Sequence, residues 1–166
     1  MSPKPAEPSA ALPLGLAVAA LVATLDQIVK WWIGAILADS TGLIKITSFF
    51  NLATVWNRGV SFGLLGGAPP SPWFLAGFAG LVVAGLVVWL ARLSERWLAV
   101  SVGFIIGGAV GNIIDRIWHG AVFDFLDFHL AGYHWPAFNV SDAAITTGIA
   151  GLLIDSLLIR RERHKN

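Results

Sequence analysis

The chain has 166 residues, 56% of them hydrophobic and 13% charged, with a mean hydropathy of +0.72 and a formal net charge of +1. Soluble domains are about one quarter charged, so this composition points to a membrane protein, and so small a net charge offers no electrostatic basis for binding nucleic acid. The absence of cysteine excludes disulfides, thiolate metal sites, a cysteine nucleophile and a thioether-linked lipid anchor on the chain itself.

Residues 1–11, "MSPKPAEPSAA", read as a short disordered cytoplasmic tail with three prolines. Crossing the bilayer core takes roughly 20 mainly apolar residues in a helix. Four runs meet or approach that length. The first is about Leu12 to Ile33 and contains Asp26 and Lys30, four residues apart, the spacing of an ion pair along a helix. A cleavable signal peptide is the competing reading of this run, because Lys4 precedes it, but no convincing cleavage site follows. Asp26 lies deeper in the run and is expected to meet polar partners inside a bundle.

The largest segment outside the runs is about residues 34–72. Its "LIKITSFFNL" and "TVWNRGVSFGLL" stretches suggest short strands, and "GGAPPSP" a turn into the second run. "NRGVSFG" (57–63) places Asn57 and Arg58 beside Gly59, the signature of a turn with an unusual backbone angle at Gly59. The second run, Trp73 to Ala91, is uncharged. The third, Trp97 to Ile114, carries Gly103, Gly107 and Gly111 at four-residue intervals, a stripe that lets another helix approach closely. Gly108, Asn112 and Arg116 form a second row on a neighbouring face, which should look into the bundle. Residues 118–137 read as a smaller loop. The fourth run, about Phe138 to Ile159, has Asp142 near one end and Asp155 near the other, and is followed by a basic cytoplasmic tail, 160–166.

Four spans put Lys4, Arg92, Arg96, Arg160, Arg161, Arg163 and Lys165 on one side, seven of the eleven Lys and Arg, which makes that side cytoplasmic. Asp26, Asp39, Asp115, Asp124, Asp127 and Asp142 then lie toward the outer face. The four histidines, 119, 129, 134 and 164, read as loop or tail residues, and no metal-binding spacing links them. A carboxylate pair remains as the candidate chemistry: Asp142 with either Asp124 or Asp127. Two carboxyl groups held together share a proton. The charged member then draws a proton from water, and the protonated one stabilises a tetrahedral intermediate, with no metal or organic cofactor. The alternatives are acids that merely mark the membrane boundary, a proton-coupled transporter using Asp26 or Asp142, and a non-catalytic assembly subunit using the glycine rows.

"DQIVKWW" (26–32), "WNRGVSFGLL" (56–65), "GGAVGNIIDRIWHGAVFDFLDFH" (107–129) and "FNVSDAAI" (138–145), in that order, resemble the bacterial lipoprotein signal peptidases, or signal peptidase II, over about residues 13–159. The resemblance implies an α-helical integral membrane protein with four transmembrane helices and both termini cytoplasmic. It implies a small extracytoplasmic β-cradle and loop between helices 1 and 2, within one membrane protease domain over 12–159 whose outer cap is about 34–72. It further implies a metal-independent aspartyl endopeptidase of the bacterial inner membrane, probing membrane lipid for diacylglyceryl-modified prolipoproteins and cutting before the lipidated cysteine. A monomer is the simplest assembly. By the same resemblance the catalytic pair falls on Asp124 and Asp142, and the surrounding polar framework on Asp26, Asn57, Gly108, Asn112, Arg116 and Asn139. Lys30 and Gly59 join these as supporting candidates. Ser141 stands where alanine is common in the family; a small hydroxyl there is tolerated and available to bond a neighbouring helix.

Overall fold

A computed structural model of the protein describes residues 10–59 and 71–159. In chain order it has α1 (Ala11–Ala38), β1 (Leu43–Lys45), β2 (Phe50–Asn57), α2 (Pro72–Leu90), α3 (Arg96–His119), β3 (Val122–Leu130), β4 (Tyr133–His134) and α4 (Val140–Ile154), the last continued by a π-helical turn, Asp155–Ile159. All four helices are long and apolar enough to cross a membrane. They match the four apolar runs, with two extensions. α1 continues to Ala38, five residues into the segment read as cap, and α3 continues to His119 rather than ending near Ile114. The α3 extension, Asp115–His119, is a polar turn that hydropathy alone truncates, whereas the α1 extension, 34–38, is apolar and continues the helix past the roughly 20 residues a span needs; both carry side chains used below.

α3 is the central helix, packing on α1, α2, α4 and β3. Its glycines explain why. A side chain on Gly103 or Gly107 would meet the backbone of Gly15 or Ala19 on α1, whereas one on Gly108 would meet the Ser141 backbone on α4. The two rows therefore seat two different helices at close range, as their spacing predicts. A small apolar cluster of Ala11, Ala19, Leu90, Ala99, Val102 and Ile106 joins α1, α2 and α3 at the end away from the sheet. α2 buries only Ala76 and Leu90, and its Phe74, Phe78, Leu81 and Val88 remain exposed, as an uncharged helix facing lipid should.

The strands form one antiparallel sheet in the order β1-β2-β3-β4. Residues 118–137, read as a loop, instead supply half of it. β3 pairs with β2 across most of its length, Trp56 opposite Phe123 and Asn57 opposite Val122, with a bulge between Leu52 and Val55. Its sequence, "VFDFLDFHL", is rich in branched and aromatic residues, but the two aspartates disguise the pattern. The histidines move accordingly: His119 ends α3, His129 is on β3 and His134 on β4, while His164 lies outside the described residues. Also outside them are residues 1–9, 60–70 and 160–166, and with them most of the tails and "GVSFGLLGGAPP".

Two local devices bring the sheet to the bundle. Gly120 ends α3 in the left-handed conformation (φ 70°), its N–H bonding the Arg116 carbonyl at 3.1 Å, which turns the chain directly into β3. Phe123 and Phe125 then bury against Ile33 and Leu37 on the last turns of α1, each contributing about 1.5–3 kcal/mol on leaving water. At the far end, Phe138 pairs with Leu126 by two backbone hydrogen bonds, 2.9 and 3.2 Å. That bridge ties the residue preceding Asn139 to the strand carrying Asp124.

Candidate active site

Asp124 is 1% exposed on β3, and each of its oxygens accepts from a different asparagine. Asn139 Nδ2 donates to Oδ1 at 2.6 Å, and Asn57 Nδ2 donates to Oδ2 at 3.0 Å. Asn57 is aimed by its own turn: its Oδ1 accepts the N–H of Gly59 at 3.0 Å, and Gly59 has φ 114°, a conformation few other residues adopt.

Asp142 is held differently, by the start of α4. Asn139 is the N-cap, its Oδ1 accepting the Asp142 N–H at 3.0 Å, while Asp142 Oδ2 accepts the Asn139 N–H at 3.2 Å. This is a reciprocal capping box, with the carboxylate lying where the helix N-terminus favours negative charge. Asn112 Nδ2 donates to Asp142 Oδ1 at 2.8 Å from α3. Asn139 is thus the hinge of the site: fully buried, it caps α4, engages Asp142 and donates to Asp124 through one side chain.

Behind this pair lies a second layer. Lys30 pairs with Asp26 at 2.8 Å, as the i, i+4 spacing predicts, but also with Asp115 at 2.8 Å, and it donates to Asn112 Oδ1 at 3.3 Å. Asn112 Oδ1 also accepts from Asn139 Nδ2 at 3.2 Å, so the amide has one orientation that satisfies every partner. Asp26 Oδ1 accepts the Ser141 N–H at 2.8 Å, capping the first turn of α4 from α1. An ion pair along α1 is therefore too small a role for Lys30 and Asp26, which together fasten α1, α3 and the start of α4. Asp115 and Gln27 complete this layer and were not singled out from sequence. The available clue was that Asp115 follows Gly111 by four residues on the α1-facing row of α3. Arg116 donates through one terminal nitrogen to the Asn112 carbonyl at 3.1 Å and lies within electrostatic reach of Asp142, Asp124 and Asp115, while its Nε has no partner among the described residues.

Asp127 is separated from this cluster. It is three residues from Asp124, hence on the other side of the strand, where it accepts from Asn51 at 2.8 Å and pairs with His134 at 2.7 Å. Burial alone would raise its pKa, but the Asn51 and His134 hydrogen bonds, with the charges of His134 and His129, hold it below the usual carboxylate range. Asp124 shifts the opposite way. Burial, the largest cause, and the neighbouring Asp142 charge push its pKa up to about 6, against the opposing pull of the Asn57 and Asn139 bonds and of Lys30. Ser141 differs from expectation: its hydroxyl is buried against Gly111 without a hydrogen-bond partner among the described residues, because Asp26 takes its backbone N–H instead.

The family model described as signal peptidase (SPase) II matches residues 18–158, which contain every residue of this cluster. The chain belongs to the signal peptidase II family. Among its relatives, the lipoprotein signal peptidase of Methylobacterium sp. (strain 4-46) is 46% identical over 147 residues, covering 87% of this chain and 88% of the relative. That of Rhizorhabdus wittichii is 46% identical over 154 residues, covering 91% and 90%. A bacterial membrane enzyme solved by the in meso method matches this signal peptidase II fold with a TM-score of 0.73 at 26% identity, covering 92% of this chain and 91% of the other.

Proposed function

We propose that this signal peptidase II removes the signal peptide from diacylglyceryl-modified prolipoproteins, cutting before the lipidated cysteine, with Asp124 and Asp142 as an aspartyl dyad. The observation that carries the reading is the shared Asn139, which fastens both carboxylates to one buried side chain, while burial pushes the Asp124 pKa up to about 6. Asp142, at a helix N-terminus and accepting from Asn112 and the Asn139 N–H, is the ionised member and general base. Asp124 holds the shared proton.

The chemistry follows from that asymmetry. Asp142 takes a proton from water as the oxygen attacks the scissile carbonyl, and Asp124 gives its proton to the carbonyl oxygen, forming a neutral tetrahedral diol. Collapse returns a hydroxyl proton to Asp124, moves the Asp142 proton to the leaving nitrogen and breaks the C–N bond. Arg116 sets a positive charge within electrostatic reach of both carboxylates, and Asn57 steadies Asp124 from the sheet. The steps use two carboxylates and water, with no metal or organic cofactor, and every group comes from one chain. In the same reading both termini are cytoplasmic, residues 12–159 form one membrane domain, and the sheet and dyad face the outer side of the inner membrane, where a lipidated substrate presents its scissile bond.

The test is cleavage of a diacylglyceryl-modified prolipoprotein by purified protein in detergent. Asp124→Asn and Asp142→Asn are each expected to lose about 10²–10⁴-fold or more in rate with thermal unfolding retained, while Asp127→Asn keeps its turnover. Undiminished cleavage by Asp124→Asn would remove it from the dyad. A wild-type protein that leaves the lipidated substrate uncut would restore the transporter alternative.

A further inference from the structure

We propose that Asp115 is a positioning residue for the reaction, fixing the strand that carries Asp124 by gripping the backbone of the preceding residue, Phe123. The proposal rests on the reading of Asp124 and Asp142 as the reacting pair.

Phe123 is held on both sides of its Cα by side chains from the two helices that frame the site. Asp115 Oδ2 on α3 accepts the Phe123 N–H at 3.0 Å, and Asn139 Nδ2 at the head of α4 donates to the Phe123 carbonyl at 3.3 Å. The next side chain along the strand is Asp124. Asp115 is itself held from several sides: it is buried, its Oδ2 pairs with Lys30 at 2.8 Å, and its Oδ1 accepts from Gln27 at 3.0 Å. Gln27 in turn donates to the Gly111 carbonyl at 3.3 Å, so α1 holds the clamp against α3. The Phe123 ring packs on Trp56 and Phe125, on the side of the strand away from Asp124.

A second acid beside Lys30 is costly to bury, since Asp26 already pairs with that lysine. What Asp115 adds is a charge-assisted acceptor for a backbone N–H, shorter and stronger than a neutral one. It makes no hydrogen bond to Asp124, Asp142 or their asparagines; it reaches the dyad through the Phe123 backbone and, as a charge, through Lys30, and the neutral Asp115→Asn, which keeps the Phe123 acceptor but not the charge, separates the two routes. A displacement of about 1 Å at a reacting group is enough to cost on the order of 100-fold in rate.

Full-length Asp115→Leu, Asp115→Asn and Asp124→Asn would be compared with wild type on diacylglyceryl-modified prolipoprotein, following kcat, KM and the pH profile together. Asp115→Leu is expected to lose roughly 10–100-fold in kcat with KM within about twofold, because the residue touches no substrate. Its alkaline limb should fall toward the ordinary carboxylate range as the loosened strand lets water reach Asp124. Asp115→Asn, whose carbonyl can still accept from Phe123 if Gln27 turns its amide, should recover most of that kcat. If Asp115→Leu does not fold, Asp115→Ser replaces it: the hydroxyl keeps the site polar for Lys30 but is too short to reach the Phe123 N–H. A kcat unchanged in the folded variant while Asp124→Asn is inert would overturn the clamp alone. So would a loss confined to KM, or a kcat loss with an unmoved pH limb. An active Asp124→Asn would instead overturn the dyad on which the clamp depends.

Discussion

Asp124 and Asp127 are chemically identical side chains on one nine-residue strand, and their neighbours shift them in opposite directions. Asp127 meets a histidine and an asparagine and stays charged; Asp124 is buried beside a second carboxylate and keeps its proton up to about 6. The charged groups facing Asp124 are Asp142 from α4, Lys30 from α1 and Arg116 from α3, and because two of the three are cations the raised value reflects burial first. The proposed reaction needs Asp124 protonated, so kcat/KM should decline as pH rises through about 6 and beyond, the limb belonging to the pair and not to one residue. An ordinary aspartate would place it near 3.9. A pH–rate profile of the purified protein on lipidated substrate checks this, and a profile with no fall on the alkaline side of 6 would contradict the assignment of the proton to Asp124.

At the scale of elements, the glycines divide into those that hold helices together and those that do not. Gly108 faces the Ser141 backbone and Ile145 on α4, whereas Gly80 on α2 has nothing within 4 Å of an added methyl group. Gly108→Ala is therefore expected to cost about 1–3 kcal/mol by overpacking, and to slow cleavage, since the displaced helix carries Asp142. Gly80→Ala should be neutral or stabilising by up to about 1 kcal/mol, from helix propensity. Thermal unfolding in detergent, with cleavage rates alongside, separates the two, and equal midpoints for both variants would refute the packing account. These helix-facing roles were legible from four-residue spacing. The sheet was legible only in part, because aspartates at positions 124 and 127 broke the apolar alternation by which β3 would otherwise be read. The hydropathy window also ended the third helix near Ile114, which left Asp115 looking like a boundary acid.

For the molecule as a whole, the distribution of lysine and arginine argues for cytoplasmic termini and an outward-facing sheet. The chain has no cysteine, so single substitutions report without background. Ser94→Cys, in the exposed turn before α3, should react with a membrane-impermeant thiol reagent only after the cytoplasmic side is opened. Tyr133→Cys, 87% exposed on β4 before substitution, should react in intact spheroplasts. The reverse pattern would invert the proposed orientation.

The sequence by itself determined the four helices, the two rows by which α3 packs on its neighbours, the Asp26–Lys30 pair and the turn at Gly59. Each of these is a matter of composition or of spacing within one or two turns of chain, where covalent geometry dictates which side chains share a face. Which aspartate meets Asp142 was beyond such reasoning: without the family resemblance Asp124 was the first candidate, but Asp127 could replace it. Only the tertiary structure, by pairing β3 with β2 and bridging Phe138 to Leu126, puts Asp124 on the face toward α3 and α4 and Asp127 on the other, where Phe123 and Phe125 pack on α1 and Asp127 is left to Asn51 and His134. The same packing converts Lys30 from half of an ion pair into the centre of a layer joining α1 to α3, and brings Asp115 to the backbone of Phe123. Contacts such as Asp124–Asn139, 15 positions apart, and Asp26–Ser141, 115 apart, arise from how whole elements bury their apolar faces against one another, and no local periodicity carries that information.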